Sequence, residues 1–409
     1  MTKAYYQIAL LFNANKVYDR EVMAGIGEYI QTSKTAWNVF LEDDFIHREL
    51  SLDQRHLDGI IADFDNPELV QKLQHCPIPV VAVGSSYQNP QHYPQNVPYI
   101  ATDNDAILQV AFEHLQRKGI NHFAFYGLPN PGFQHWSNER RMAFERIMKN
   151  NNYQPEIYLG QETHADNWQQ AQQQLSEWIT ALPKHTGIIA VTDARARHLL
   201  QTCELLDIPV PDQLCIIGID NEELIQAFSR VSLSSVVQGT KNMGYQAAKL
   251  LHAQLENRPI KQYQYLIPPL RIESRTSTDY RSIQDPLVIQ ALHYIRVNAC
   301  SGIKVEQVLD YVKASRSNLE NRFRIETGKT IHQILHNEKM NKAKQLLTDT
   351  DIAIQEIAEI CGYPSVQYFY FVFKKEFNQT PNEYRLQKSR QIPLNEYKNK
   401  LYNLLINII

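Results

Sequence analysis

The sequence predicts a parallel-sheet α/β region over residues 1–275 and an all-α region with two helix-turn-helix motifs over residues 287–388, joined by a linker at 276–286. Three observations carry this. Up to residue 275, short β-branched runs alternate with amphipathic stretches of helical length, the pattern of parallel strands connected through helices. Beyond residue 286 the apolar residues instead recur at i, i+3, i+4 and i+7, and such a segment occurs twice. The charge shifts with the pattern: residues 1–280 hold 23 Lys and Arg against 31 Asp and Glu, whereas residues 281–409 hold 18 against 13.

Composition narrows the function classes. A chain of 409 residues predicts two or three domains. Hydrophobic residues make up 43% and charged residues 21%, ordinary globular usage, and no run approaches the ~18 apolar residues of a membrane span. The opening MTKAYYQIALLFNANK runs straight into a strand pattern without a small-residue cleavage site, so a cytoplasmic location is expected. Cys76, Cys203, Cys215, Cys300 and Cys361 are scattered, with no CxxC pair, which argues against a disulfide framework or a metal site. There is no GxxxxGK[ST], no GxGxxG after the first strand, no GxSxG and no HExxH, so no catalytic residues are assigned and no cofactor is expected.

In chain order, the first region reads as strand QIALLFNA, helix 19–32, strands WNVFLE and LDGIIADF, helix 66–74, strand IPVVAVG, helix 104–118, strand HFAFYG and helix 136–150. It continues as helix 166–181, strand TGIIAVTD, helix 194–206, strands LCIIGID and SLSSVV, helix 240–256 and strand YLIPPLRI. The strands are continuous apolar runs, as expected of strands buried on both faces by flanking helices.

In such sheets ligands bind beyond the carboxyl ends of the strands. The positions just after the runs hold Asn13, with Tyr18, Asp19 and Arg20 opening the next helix, then Asp103-Asn104, Asp193 and Asp220-Asn221; Trp136 and Arg140 open the helix after HFAFYG. Carboxylates, an amide, an arginine and an aromatic face together suit a neutral polyhydroxyl ligand, because acceptors take hydroxyl protons and the ring packs on sugar C–H groups. The competing reading for Asp103, Asn104 and Asp193 is a helix N-cap.

The second region begins with a helical run at 286–299. Val305, Val308, Leu309 and Val312 form an apolar face, a turn follows at Lys313-Ala314, Ser315 stands at an N-cap, and Leu319 and Phe323 continue. Ile354, Ile357, Ala358 and Cys361 repeat that face 49 residues later, then Gly362-Tyr363-Pro364 turn, Ser365 caps, and Phe369 and Phe373 follow 50 residues after their counterparts. This predicts helix-turn-helix motifs at about 305–326 and 354–377, with 332–348 as a connecting helix. The second helices present Arg316, Ser317, Glu320, Asn321 and Arg324, and Gln367, Tyr370, Phe371, Lys374 and Lys375. Side chains of this kind on two helices suit successive major grooves of double-stranded DNA, about 34 Å apart. From the residues alone, three readings stay open: a sugar-responsive DNA-binding regulator, a sugar-modifying enzyme with an accessory nucleic-acid domain, and a constitutive architectural DNA binder.

The segments DN before EHLQRKGINHFAFYG, ER at 139–140, TDARA at 192–196 and IIGIDNEEL at 216–224 resemble the LacI/GalR effector domain, itself similar to periplasmic sugar-binding proteins. The resemblance implies a two-lobed sensor in which Arg140, the Thr192-Asp193 pair and Asp220 contact sugar. Thr192 stands where that family often has asparagine. The segments SRSNLENRFRIETGKTIHQILHNEKMNKAKQLL and IQEIAEICGYPSVQYFYFVFKKEFNQTPNEYR resemble the AraC/XylS DNA-binding domain. That resemblance implies base-facing roles for Ser317, Glu320, Asn321, Gln367 and Phe371; Phe371 departs from the polar or basic residue common there, so that it either meets a thymine methyl or packs. With FNANK at 12–16, MGYQAAKLLH at 243–252 and STDYRS at 277–282, the pair is similar to activators of pentose operons through residue 388. The similarity implies D-xylose as effector, a homodimer and contact with RNA polymerase. The tail at 389–409 lies outside it.

Overall fold

The computed structural model describes residues 5–33, 35–41, 56–129, 135–161, 164, 166–280 and 285–389. The chain forms two compact units, 1–281 and 282–409.

The first unit contains, among the described residues, two six-stranded sheets. Its elements run β1 (Tyr6–Leu11), α1 (Val17–Ser33), β2 (Trp37–Leu41), β3 (Gly59–Asp63), α2 (Pro67–Leu73), β4 (Val80–Ser85), β5 (Tyr99–Thr102), α3 (Asn104–Arg117), β6 (His122–Gly127) and α4 (His135–Asn150). They continue β7 (Glu156–Leu159), α5 (Trp168–Ala181), β8 (Thr186–Ala190), α6 (Asp193–Leu205), β9 (Leu214–Ile219), α7 (Glu223–Phe228), β10 (Ser234–Val237), α8 (Thr240–Leu255), β11 (Gln264–Ile267) and β12 (Arg271–Glu273). One sheet has the order β11-β5-β4-β3-β1-β2 and is parallel throughout; the other has β12-β10-β9-β8-β6-β7 and is parallel except for β10 with β12. Strands β3, β4, β5, β8 and β9 are buried along their whole length, since apolar clusters cover both faces of each sheet.

The chain crosses between the sheets three times, after β5, after β10 and after β11. The crossings lie side by side: Asp103 N donates to Ile267 O at 3.0 Å and Leu270 N to Val237 O at 2.9 Å. Gly239, in the second crossing, has no room for a side chain, because a Cβ would stand 2.8 Å from Pro268 O. YLIPPLRI is therefore not the single strand expected. Pro268 and Pro269 carry no N–H to continue a ladder, so the run divides into β11 in one sheet and β12 in the other. The short elements β7 and α7 are additions to the sequence reading.

The expected linker at 276–286 also needs correction. Residues 276–278 form a 3-10 turn with Ser277 and Thr278 fully buried. Ser277 Oγ donates to Ile216 O at 2.6 Å and accepts from Ser234 N at 2.8 Å, while His114 Nε2 lies 2.7 Å from Thr278 Oγ1. These small polar residues are part of the sheet's packing, which explains a composition that reads as linker. At the other end, Asp285 and Pro286 already belong to a helix start.

In the second unit the helices are α9 (Pro286–Asn298), α10 (Val305–Val312), α11 (Arg316–Thr327), α12 (Ile331–Asp349), α13 (Ile354–Ile360), α14 (Val366–Phe377) and α15 (Pro381–Ser389). Asp285 caps α9, accepting from Leu287 N at 2.9 Å, and pairs with Arg322. Val288, Leu292, Val308, Leu319, Phe323 and Ile331 form one core, and Met340, Ala343, Leu347, Ile357, Phe369 and Phe373 another. Helix α12 contributes to both and joins them. The tail beyond 389 lies outside the described residues.

Candidate functional site

A cleft of about 340 Å³ opens between the two sheets of the first unit, at the carboxyl ends of their strands, within the roughly 300–1,000 Å³ typical of small-molecule sites. From the first sheet and its helix it receives Lys16, Tyr18, Asp19, Asp63, Asp65, Ser85 and Thr102. From the second come Leu128, Trp136, Arg140, Thr192, Arg195, Asp220, Glu222 and Gln238.

The two sides are electrostatically different. On the first, three carboxylates crowd together. Burial and then repulsion by Asp63 push both Asp19 and Asp65 up to about 7, and burial raises Asp63 despite Lys16 beside it. Burial works against the Lys16 charge, but Asp63, Asp19 and Asp65 outweigh it and hold its ammonium above the ordinary lysine value, with Nζ 3.5 Å from Asp63 Oδ2. Fixed donors hold the carboxylates in place: Asn13 N to Asp19 Oδ2 at 2.7 Å, Asp65 N to Asp63 Oδ1 at 2.9 Å and Ser85 Oγ to Asp65 Oδ1 at 2.8 Å. The Tyr18 hydroxyl donates to Gly84 O at 3.1 Å, so its ring forms cleft wall.

On the second side, Arg140 is 3% exposed. Its Nε donates to Asn104 Oδ1 at 3.2 Å and its Nη1 to Val191 O at 2.6 Å, and the guanidinium lies 5.0 Å from the Trp136 ring centroid. Burial raises Asp220 to about 6 against the pull of Arg140, and Gln238 Nε2 donates to Asp220 Oδ1 at 2.5 Å. Asp19 Oδ1 and Gln238 Oε1 are buried acceptors without a hydrogen-bond partner among the described residues. Buried polar atoms are nearly always paired, so two unpaired acceptors on residues that line the cleft leave hydrogen-bonding capacity there unused.

The structure brings Tyr18, Asp19, Trp136, Arg140 and Asp220 together, and Thr192 with them. Three other candidates stand elsewhere. Asn13 belongs to the turn before α1, where its Oδ1 accepts from Asn15 N at 3.0 Å. Asp103 is the N-cap of α3, accepting from Ala106 N at 3.0 Å. Asp193 is fully buried behind the wall, accepting from Ser235 Oγ at 2.7 Å and Glu222 N at 2.8 Å; Thr192, not Asp193, caps α6. Burial pushes the Asp193 carboxyl well above the usual range. Sequence reasoning passed over Asp63, Asp65, Ser85 and Gln238, although each lies at or just beyond a strand end and the same positional rule finds them. Lys16, Arg195 and Glu222 carry no such signal, because solvent-facing charges at helix starts are common.

In the second unit the repeat extends further than the apolar residues showed. Ser315 caps α11, accepting from Asn318 N, and Ser365 caps α14, accepting from Tyr368 N. Left-handed Gly328 and Asn378 end the two helices, and Thr330 with Gln333 caps α12 as Thr380 with Glu383 caps α15. Leu319, Phe323, Phe369 and Phe373 are fully buried, which turns Arg316, Ser317, Asn321 and Arg324, and Gln367, Phe371, Lys374 and Lys375, to solvent. Glu320 and Tyr370, expected on the same face, are half-buried braces. Glu320 Oε2 accepts from Ile331 N at 3.4 Å. At the equivalent place Pro381 has no N–H, and the Tyr370 hydroxyl accepts from Asn382 Nδ2 at 2.9 Å instead.

Three family models match the chain: the XylR N-terminal domain over residues 7–105, a periplasmic binding protein-like domain over 112–278 and a helix-turn-helix domain over 308–387. The xylose operon regulatory protein of Haemophilus influenzae is 60% identical over 386 residues, covering 94% of this chain and 100% of that protein. Its counterpart in Escherichia coli K12 is 55% identical over 380 residues, 93% of this chain and 97% of that one. The solved structure of the xylose-binding transcription activator xylR superimposes with a TM-score of 0.85 at 54% identity, covering 94% of this chain and 99% of that chain.

Proposed function

The chain belongs to the family of xylose operon regulators, DNA-binding transcription regulators rather than enzymes, and from that premise we propose that its cleft takes D-xylose and that the sugar switches on genes for xylose uptake and catabolism. The observation that carries the ligand reading is the convergence of Asp19, Arg140, Asp220 and Gln238 on one cleft beside the Trp136 ring. Acceptors at fixed positions take the protons of a small polyol, Arg140 donates to its oxygens, and the indole covers a C–H face. Arg140 is already held by Asn104 and Val191, so little side-chain freedom is lost on binding.

The sugar acts by favouring one arrangement of the lobes about the three crossings; equal affinity for both arrangements would shift nothing. A homodimer then presents four recognition helices to paired half-sites. Ser317, Asn321 and Gln367 suit base edges, and Arg316, Arg324, Lys374 and Lys375 suit phosphates. Activation implies contact with RNA polymerase, and the work is done in the cytoplasm, where the DNA is.

The test is a DNA-binding titration of the whole chain at fixed salt, on a fragment from upstream of pentose genes, with D-xylose, glucose, arabinose or no sugar. Xylose alone is expected to tighten binding about tenfold, a coupling of about 1.4 kcal/mol. Equal binding under every sugar would remove the ligand and the switch from this reading.

A further inference from the structure

We propose that Phe371 reads the 5-methyl group of a thymine, giving the second helix-turn-helix an apolar reader of sequence at the position where the first carries an amide, Asn321. The proposal rests on the DNA-binding reading above and deepens it.

Helix α14 carries five aromatic residues, Tyr368, Phe369, Tyr370, Phe371 and Phe373, before the terminal Phe377. The packing uses most of them. Phe369, Phe373 and Phe377 form a chain of ring contacts at 5.6 and 4.7 Å that ends on Tyr384 of α15. Tyr370 braces Asn382, and Tyr368 lies 6.4 Å from the Tyr363 ring. Phe371 is 65% exposed, on the side of the helix opposite Phe369 and Phe373. It lies one turn after Gln367 and just before Lys374 and Lys375, all three exposed. The fold therefore does not use this ring, yet it stands at the middle of the face whose cations suit a phosphate backbone.

Its counterpart 50 residues earlier is Asn321. Asparagine in the major groove pairs with the adenine edge, whereas a phenyl ring has no donor or acceptor and the apolar group that a base pair offers there is the thymine methyl. The repeat thus places an amide reader in one copy and a methyl reader in the other, at equivalent positions on helices with equivalent caps. Two different half-site sequences follow from one duplicated scaffold.

The experiment starts from DNA that the whole chain itself enriches from a random library, so that no operator need be assumed. Each thymine of the enriched site is replaced in turn by deoxyuridine, which removes only the methyl group, and affinities are measured at fixed salt for the unaltered chain, Phe371→Ala and Gln367→Ala. At one thymine per half-site, deoxyuridine is expected to weaken the unaltered chain about fourfold, the factor for losing burial of one methyl-sized group. Gln367→Ala should keep that sensitivity, and Phe371→Ala should lose it. Phe371 is exposed, so an unchanged thermal midpoint for Phe371→Ala checks that the fold is intact. Deoxyuridine effects of the same size with and without the Phe371 ring, or none at any thymine, overturn the proposal and leave the regulator reading in place. Failure to enrich any DNA overturns both.

Discussion

Arg140 and Asp193 show how differently two charged residues near one cleft are used. Arg140 faces the cleft with its Nε and Nη1 already engaged, so Arg140→Ala should weaken sugar binding at least tenfold by calorimetric titration, beside the stability lost by leaving Asn104 Oδ1 and Val191 O unpaired. Asp193 satisfies Ser235 Oγ and Glu222 N in the interior. Asp193→Ala strands both donors, at about 1–3 kcal/mol for each buried unsatisfied group, and should appear first as a lower unfolding free energy. A second expectation follows from the raised carboxyls. Asp19 and Asp65 at about 7 and Asp220 at about 6 hold protons in the folded state that the unfolded chain has lost. Their contribution to stability is thus full below about pH 4 and is lost as the pH rises through 6 to 7. Sugar hydroxyls that donate to these groups favour the ionised form, so sugar affinity should rise between pH 5.5 and 8. Affinity that falls over that window would mean that the carboxyls meet the ligand as donors.

At the scale of elements, the duplicated helix-turn-helix was legible because its signals are local. A 3.6-residue apolar period, a serine N-cap and a short turn all lie within about 25 residues, and finding them twice removes ambiguity. The caps make a direct test. Ser365→Ala leaves the N–H of Tyr368 without its acceptor and should cost the second unit about 1 kcal/mol in chemical denaturation; no loss would mean that water replaces the hydroxyl. Glu320 and Tyr370 were less legible. Periodicity puts them on the outer face, but a half-exposed side chain is decided by what lies within its reach, here the start of the following helix. YLIPPLRI divides between two sheets for the same reason: apolar content marks strand, while the sheet that each half joins depends on partners far away in the chain.

For the whole molecule, the three crossings make the first unit a pair of lobes that share a cleft, and Arg20 with Glu222 at 3.8 Å and Gln88 N with Glu139 Oε2 at 3.0 Å already join the two sides. Small-angle scattering of the chain with and without D-xylose should therefore differ, the sugar-bound form being the more compact if closure is the switch. Superimposable profiles together with measured sugar binding would rule closure out.

The sequence by itself determined the two kinds of architecture, the order of nearly all elements, the duplicated reader and five of the eight cleft candidates, because strand ends in a parallel sheet point to one side whatever the details. Tertiary structure alone decided that Asp193 lies behind the wall, that Asp103 is a cap, that Ser277, Thr278 and Tyr280 are buried, and that Asp63 and Asp65 join Asp19. Each of these depends on which distant segment packs alongside, and a buried carboxylate, a capping carboxylate and a ligand-facing one look the same until that neighbour is known.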